Sequence, residues 1–186
     1  MTDSAFRAMS VEEYLRTEEA SPFKREYVHG FVYPLHAQAG TSDAHALIAG
    51  NIFAALRSLA RRKGCYAYAS DMRVTTRDRL TYYYPDVMVT CEPRRDDARF
   101  KVAPCLLVEV LSKSTAHTEH NAKYHAYTAL ASLQTYLLVE QDERRVYVYQ
   151  RGETGWEMHE YSRQDSIPLS CLDAPLTLDE IYEDVR

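Results

Sequence analysis

Between Ser42 and Lys63, Leu47, Ile48, Ile52, Phe53, Leu56 and Leu59 return at spacings of three and four. That period predicts a long amphipathic helix, closed by Gly64 at its C′ position. Ser10-Val11-Glu12-Glu13 has the form of a capping box and predicts a helix to about Glu19, before Ser21-Pro22 stops it. Elsewhere the period is two. Arg25 to Val28 and Phe31 to Pro34 read as short strands around His29-Gly30. Tyr66 to Ser70, Met72 to Thr75 and Tyr82 to Thr90 read as further strands, and Cys91 to Ala103, rich in Arg and Asp, as a solvated loop. Pro104 to Leu111 is a nearly continuous apolar run, the mark of a strand covered on both faces. Thr115 to Ala131 predicts a second helix, then a meander of Thr135 to Glu140, Arg145 to Gln150 and Trp156 to Tyr161, and a short capped helix over 177–184. No repeat or linker interrupts the pattern, so residues 1–186 are expected to form a single α/β domain with a mixed sheet and a helix crossing over after the apolar strand.

Two residues break this pattern. Glu109 lies in the middle of the apolar run, flanked by Val108 and Val110, and an unpaired buried charge costs several kcal/mol, about, so a partner must exist. That partner is either a structural cation, Arg73 or a lysine, or a metal ion shared with a second carboxylate. Asp86 offers the second carboxylate, again inside an apolar strand. Pro85 before it has no N–H for a ladder, so neighbouring strands can splay there into a cleft. Oxygen ligands favour Mg²⁺ or Mn²⁺ over zinc. The alternative is Asp86 as a turn acid or an arginine partner. Phosphodiester chemistry at such an ion also benefits from a positive side chain beside the attacking water. Lys113 and Lys123 are the candidates, and Lys123 shares one helical face with His120 and Tyr127.

Composition narrows the functions. The chain carries 22 basic and 27 acidic side chains, a net charge of −5, which argues against nucleic-acid binding through the overall field while allowing a local basic groove. Two runs could line such a path, Arg57, Arg61, Arg62 and Lys63, and Arg94, Arg95, Arg99 and Lys101, although charge runs usually form solvated faces. With six glycines, no phosphate-cradling loop can be read, and no nucleophile-elbow motif. The four cysteines follow no Cys-x-x-Cys or zinc-ribbon spacing, so reduced thiols are expected. With acids scattered through the first twenty residues and no long apolar run, neither a secretion signal nor a membrane span is expected, and the cytoplasm is. His117-x-x-His120, with His125 nearby, lacks a carboxylate at the spacing that would complete a transition-metal site. The alternating tyrosines read as half-buried strand positions rather than base-stacking groups.

Taken together, Pro85-Asp86, then Leu107-Val108-Glu109-Val110-Leu111-Ser112 with Ser114-Thr115, then Lys123 with Tyr127, resembles the Uma family of bacterial endonuclease-like proteins. That family belongs to the PD-(D/E)xK, restriction-endonuclease-like superfamily. Arg25 to Val32, and His45 opening the long helix, match its earlier elements, and the likeness spans about residues 10–160. The chain departs from the family pattern at Lys113, at Leu137 and in the helix-to-strand link, leaving the acids intact.

The resemblance implies a mixed β-sheet core flanked by helices. It implies Asp86 and Glu109 as ligands of Mg²⁺ or Mn²⁺, the Val110 backbone carbonyl as a third ligand, and Glu26 as an auxiliary acid. The superfamily lysine two residues after the second acid is Leu111 here, so the resemblance transfers that role to Lys123. His45 would orient a phosphate or the water; alternatively it serves only near the start of its helix. The expected activity is metal-dependent hydrolysis of phosphodiester bonds in nucleic acid, DNA above all, by a protein that could act as a homodimer. The competing expectations are a non-catalytic binding or oligomerisation module on the same fold, and a hydrolase of a small phosphoester.

Overall fold

A computed structural model describes residues 8–35, 42–95, 98–111 and 118–185, apart from the side chains of 118–120. Lys113 and His117 lie outside the described residues, as does the side chain of His120.

Helix α1 (Val11–Glu18) opens on Ser10, whose Oγ accepts the Glu13 N–H at 3.1 Å. Strands β1 (Arg25–Val28) and β2 (Phe31–Pro34) meet at His29 and Gly30, both at positive φ (47° and 96°), as a tight two-residue hairpin turn requires. A side chain at position 30 would also crowd Ala8, 3.1 Å from the Cβ it would add. Helix α2 (Asp43–Arg62) is capped by Ser42, whose Oγ accepts the His45 N–H. Its periodic stripe is buried at Ile48, Ile52 and Leu56, each such side chain contributing about 1.5–3 kcal/mol by burial.

The chain continues through β3 (Tyr66–Ala69), β4 (Arg73–Thr75), β5 (Thr81–Tyr83), β6 (Val87–Thr90), β7 (Phe100–Lys101) and β8 (Pro104–Val110). Then come α3 (Thr118–Thr128), β9 (Thr135–Val139), β10 (Arg145–Arg151), β11 (Trp156–Ser162), β12 (Ser166–Leu169), β13 (Ala174–Thr177) and α4 (Leu178–Ile181). The strands form a five-stranded sheet ordered β2-β1-β5-β4-β7, a six-stranded sheet ordered β11-β10-β9-β8-β6-β3, and a β12-β13 ribbon. Both larger sheets are mixed: β4–β7 and β8–β9 run parallel and the other pairs antiparallel. The α/β class with a mixed sheet and a crossover helix after β8 is therefore observed, with the strands divided between two sheets.

The division occurs where Pro85 interrupts the strand expected over Tyr82 to Thr90. Its first part, β5, pairs in the smaller sheet and its second part, β6, in the larger. The N–H of Tyr84, freed from any ladder, donates to Glu26 Oε1 at 3.2 Å. One face of the larger sheet, with Val87, Val89, Leu106, Val108 and Val110, packs on α2 and α4. The other face, with Met88, Leu107, Tyr136 and Leu138, packs on Val74 and Tyr83 of the smaller sheet and on Tyr127 and Leu130. Alternation along β8 places Glu109 on this second face, beside Leu107.

Three expectations are corrected. Cys65 and Cys91 are joined in a disulfide, their Cα atoms 4.1 Å apart, because the β3–β6 register pairs Tyr66 with Thr90 and so sets the two cysteines opposite each other; only Cys105 and Cys171 are free thiols. The loop after Cys91 contains β7, whose Lys101 is buried with its ammonium 5.4 Å from the centre of the Tyr68 ring. The C-terminal segment adds the β12–β13 ribbon, whose Ile167, Leu169 and Leu176 complete the α2 core, and its last helix is confined to Leu178–Ile181. Among the described residues no helix is long and apolar enough to cross a membrane.

Candidate active site

Every residue of β8 is buried, so Glu109 cannot turn its carboxylate to bulk water and must be satisfied from across the core. Helix α3 supplies the partners. Lys123 and Tyr127, four apart, lie on one helical face. Tyr127 Oη donates to Glu109 Oε1 at 2.8 Å, and Lys123 Nζ stands 3.2 Å from each Glu109 oxygen. The same ammonium meets Glu26 Oε1 at 3.1 Å and lies 5.6 Å from the centre of the Tyr83 ring. Lys123 thus ties β1, β8 and α3 together.

Asp86 sits where the two sheets part. Its Oδ2 accepts the N–H of Val110 at 2.7 Å, while its carbonyl accepts the N–H of Ser70 at 3.0 Å. His45, in the first turn of α2, brings Nε2 to 3.6 Å from the same Oδ2, an electrostatic contact longer than a hydrogen bond. Both side chains are partly exposed.

The electrostatics follow from burial. Loss of water pushes the Glu109 carboxyl up to about 8; Lys123 opposes this, Asp86 and Glu26 add to it by repulsion, and the Tyr127 hydroxyl favours the charged form. Burial alone would lower Lys123, yet the surrounding Glu109, Glu26 and Asp86 outweigh it and hold the ammonium well above the ordinary lysine range. Burial, then the Glu109 charge, raises Tyr127 far above its usual range, so it remains a donor.

The structure therefore brings Glu26, Asp86, Glu109, Lys123 and His45 to one place. The partner demanded by Glu109 is a lysine; Arg73 lies elsewhere, with its Nε donating to the Arg99 carbonyl and its guanidinium near the rings of Tyr14 and Tyr84. Tyr127 and the Val110 N–H are contacts that sequence reasoning did not assign. Tyr127 was legible as a helical neighbour of Lys123, whereas the Val110 contact depends on how two sheets meet. Among the described residues, no three His, Cys, Asp or Glu side chains form a ready-made metal cage. The basic run at the end of α2 begins beyond Ile52, and Arg61 lies about 24 Å along the helix from His45, so it does not border the acids. Arg99 pairs with Glu19, and Lys63 with Asp173.

The family model described as "Uma2: Putative restriction endonuclease" matches residues 11–179. Two uncharacterized proteins of Synechocystis sp. are each 33% identical to the chain, over 179 residues (95% of this chain, 93% of that protein) and over 164 residues (86% and 91%). A crystal structure from Anabaena variabilis, titled as "a putative nuclease belonging to DUF820", superposes with a TM-score of 0.72 at 19% identity, covering 94% of this chain and 97% of that one. At that identity the likeness is one of fold.

Proposed function

The chain belongs to the Uma2 family, described as "Putative restriction endonuclease", and from that premise we propose a divalent-metal-dependent nuclease that hydrolyses phosphodiester bonds of DNA. The observation that carries this reading is the meeting of two carboxylates, Glu26 and Glu109, on the buried ammonium of Lys123, with Asp86 near enough for its charge to act on both Glu109 and Lys123. Carboxylates gathered this closely in a low-dielectric pocket attract a hard divalent cation.

The donor set fits Mg²⁺ or Mn²⁺. Mg²⁺ is held by one or two carboxylates and keeps several waters, so Asp86, Glu109 and the Val110 carbonyl suffice without a complete side-chain cage. When bound, the ion supplies Lewis-acid polarisation of a phosphoryl oxygen and acidifies water. Lys123 stays protonated, so it acts as a hydrogen-bond donor, orienting the attacking water and offsetting charge on the phosphoryl group. Glu26 holds the ammonium in position from the opposite side. Tyr127 fixes the Glu109 carboxylate, and His45 stands beside Asp86 at the positive end of α2, where an anion is favoured.

Cleavage of labelled oligonucleotides with Mg²⁺ or Mn²⁺ tests the proposal. Asp86→Asn, Glu109→Gln and Lys123→Met should each lower the rate at least ~100-fold. Wild-type rates in all three variants, or no cleavage of any nucleic acid by the unaltered protein, would end it. A second reading has its own observation: Lys123 already contacts both Glu109 oxygens and Glu26, so the network also suits a non-catalytic module. Calorimetric titration with Mn²⁺ separates the two. A binding heat abolished by Glu109→Gln belongs to the enzyme, and no heat belongs to the module.

A further inference from the structure

The hairpin that carries Glu26 also carries two large aromatics in water. In an antiparallel pair, directly opposed residues project on the same face. Tyr33 is opposite Glu26, and Phe31 is opposite Val28. The register between β1 and β5, Tyr27 with Tyr82, sets Tyr83 beside Glu26 on that face too. Phe31 and Tyr33 are therefore on the side of the smaller sheet that bears the acid site. They are 46% and 53% exposed, whereas Tyr27 and Val32, on the opposite side, are packed with Tyr14 of α1.

Such exposure on an edge strand has a cost, because an unpaired strand edge bearing apolar side chains invites association. Beside the hairpin, an open groove of about 700 Å³ runs between the smaller sheet and α3. Val28, Tyr83 and Ala126 contribute apolar walls, Arg77 contributes a guanidinium, and His29 and His125 contribute imidazoles. The groove also contains Asp78, whose carboxylate is engaged within its own turn by Thr76 Oγ1 at 2.6 Å and the Leu80 N–H at 3.0 Å. Tyr83 joins groove to site, since its ring lies beside Lys123.

Aromatic faces on which bases stack, beside a groove whose side chains donate to the backbone, form the arrangement that holds unpaired bases; here Arg77 and the imidazoles of His29 and His125 supply the donors. A base paired within a duplex keeps its faces covered by its stacked neighbours and cannot lie on Phe31 or Tyr33. We infer that the substrate strand is single where it crosses the β1–β2 hairpin. Phe31 and Tyr33 stack its bases, and Arg77 with the two histidines follows its phosphates toward Lys123. This rests on the nuclease reading above and adds the substrate class, an unpaired DNA strand.

Fluorescence anisotropy in EDTA tests it apart from catalysis, using a labelled twelve-nucleotide single strand and the same sequence as a blunt duplex. The single strand should bind at least tenfold tighter. Phe31→Ala and Tyr33→Ala should each weaken single-strand binding at least ~5-fold, while Tyr33→Phe, which keeps the ring, should bind as the parent does. Equal affinity for the two oligonucleotides, or alanine variants that bind the single strand like the parent, would overturn the inference. If the single strand is bound through these aromatics yet is never cleaved with Mg²⁺ or Mn²⁺, the nuclease reading fails and the binding surface stands.

Discussion

Val110 donates its N–H to Asp86 Oδ2 at 2.7 Å, so the residue following one acid of the site holds the other acid in place. The Ser70 N–H holds the Asp86 carbonyl at the edge of β6, and this second bond holds its side chain.

Asp86→Ala and Asp86→Asn should consequently differ. Alanine removes the acceptor for the Val110 N–H and should cost about 1–3 kcal/mol, whereas asparagine can still accept through its amide oxygen and should stay close to the parent. Both should lose Mn²⁺ binding. Urea unfolding beside metal titration checks this, and equal stability of the two variants would refute the anchoring role.

Tyr127→Phe removes one hydrogen bond and no charge. Glu109 Oε1 would lose its 2.8 Å donor, and Mn²⁺ affinity should fall about 10-fold, within the range for a group that orients a metal ligand. Calorimetry on a variant with native circular dichroism is the measurement. Unchanged affinity would make Tyr127 a packing residue alone.

Because burial raises Glu109 from 4.5 to about 8, the metal-free native state holds a proton there that the unfolded chain has released. A raised carboxyl contributes stability that is present at low pH and declines as pH climbs from about 4.5 to about 8. A bound cation competes with that proton, so Mn²⁺ should raise the melting temperature more at pH 8.5 than at pH 6. Thermal scans with Mn²⁺ and with EDTA at both pH values decide it. An increment that shrinks with pH would contradict the assignment.

Lys123→Met would leave Glu26 and Glu109 buried without their shared cation and should cost about 3–5 kcal/mol. Adding Glu109→Gln should recover part of that loss while cleavage stays absent. A double-mutant cycle read by both unfolding and cleavage separates the lysine's structural and chemical contributions. Independent, additive losses of stability would mean that the pair is not coupled.

The Cys65–Cys91 bridge predicts that a thiol reagent under denaturing, non-reducing conditions labels only Cys105 and Cys171. Reductant should lower the melting temperature by roughly 5–15 °C, given the 26-residue separation between the joined positions. Four labelled thiols would refute the bridge.

What the sequence disclosed was whatever local periodicity and misplaced charge encode. The α2 stripe, the hairpin at His29-Gly30, the buried β8 and the meander all repeat within a few residues, and Glu109 and Asp86 stand out against apolar neighbours. Helical spacing put Lys123 and Tyr127 on one face, and the family resemblance chose Lys123 over Lys113. The parting of β5 from β6 was only half legible: Pro85 marked a weak point, but pairing with β1 on one side and β8 on the other depends on residues distant in the chain. The cysteine pair was hidden for the same reason, since 26 residues separate partners that only the β3–β6 register brings together. Lys101 was read as a solvated cation because it follows a run rich in Arg and Asp, and the Tyr68 ring that receives it lies on another sheet.

Strand β3 is the outer member of its sheet, the position from which ladders most readily slide. A covalent link at Cys65–Cys91 fastens one end, and the Ser70 N–H on the Asp86 carbonyl fastens the other. A one-residue shift of β3 along β6 would carry the Ser70 N–H away from the Asp86 carbonyl. A crosslink near the opposite end of the strand thus acts as an alignment pin, keeping one backbone anchor of the acid in register from the far end of its ladder.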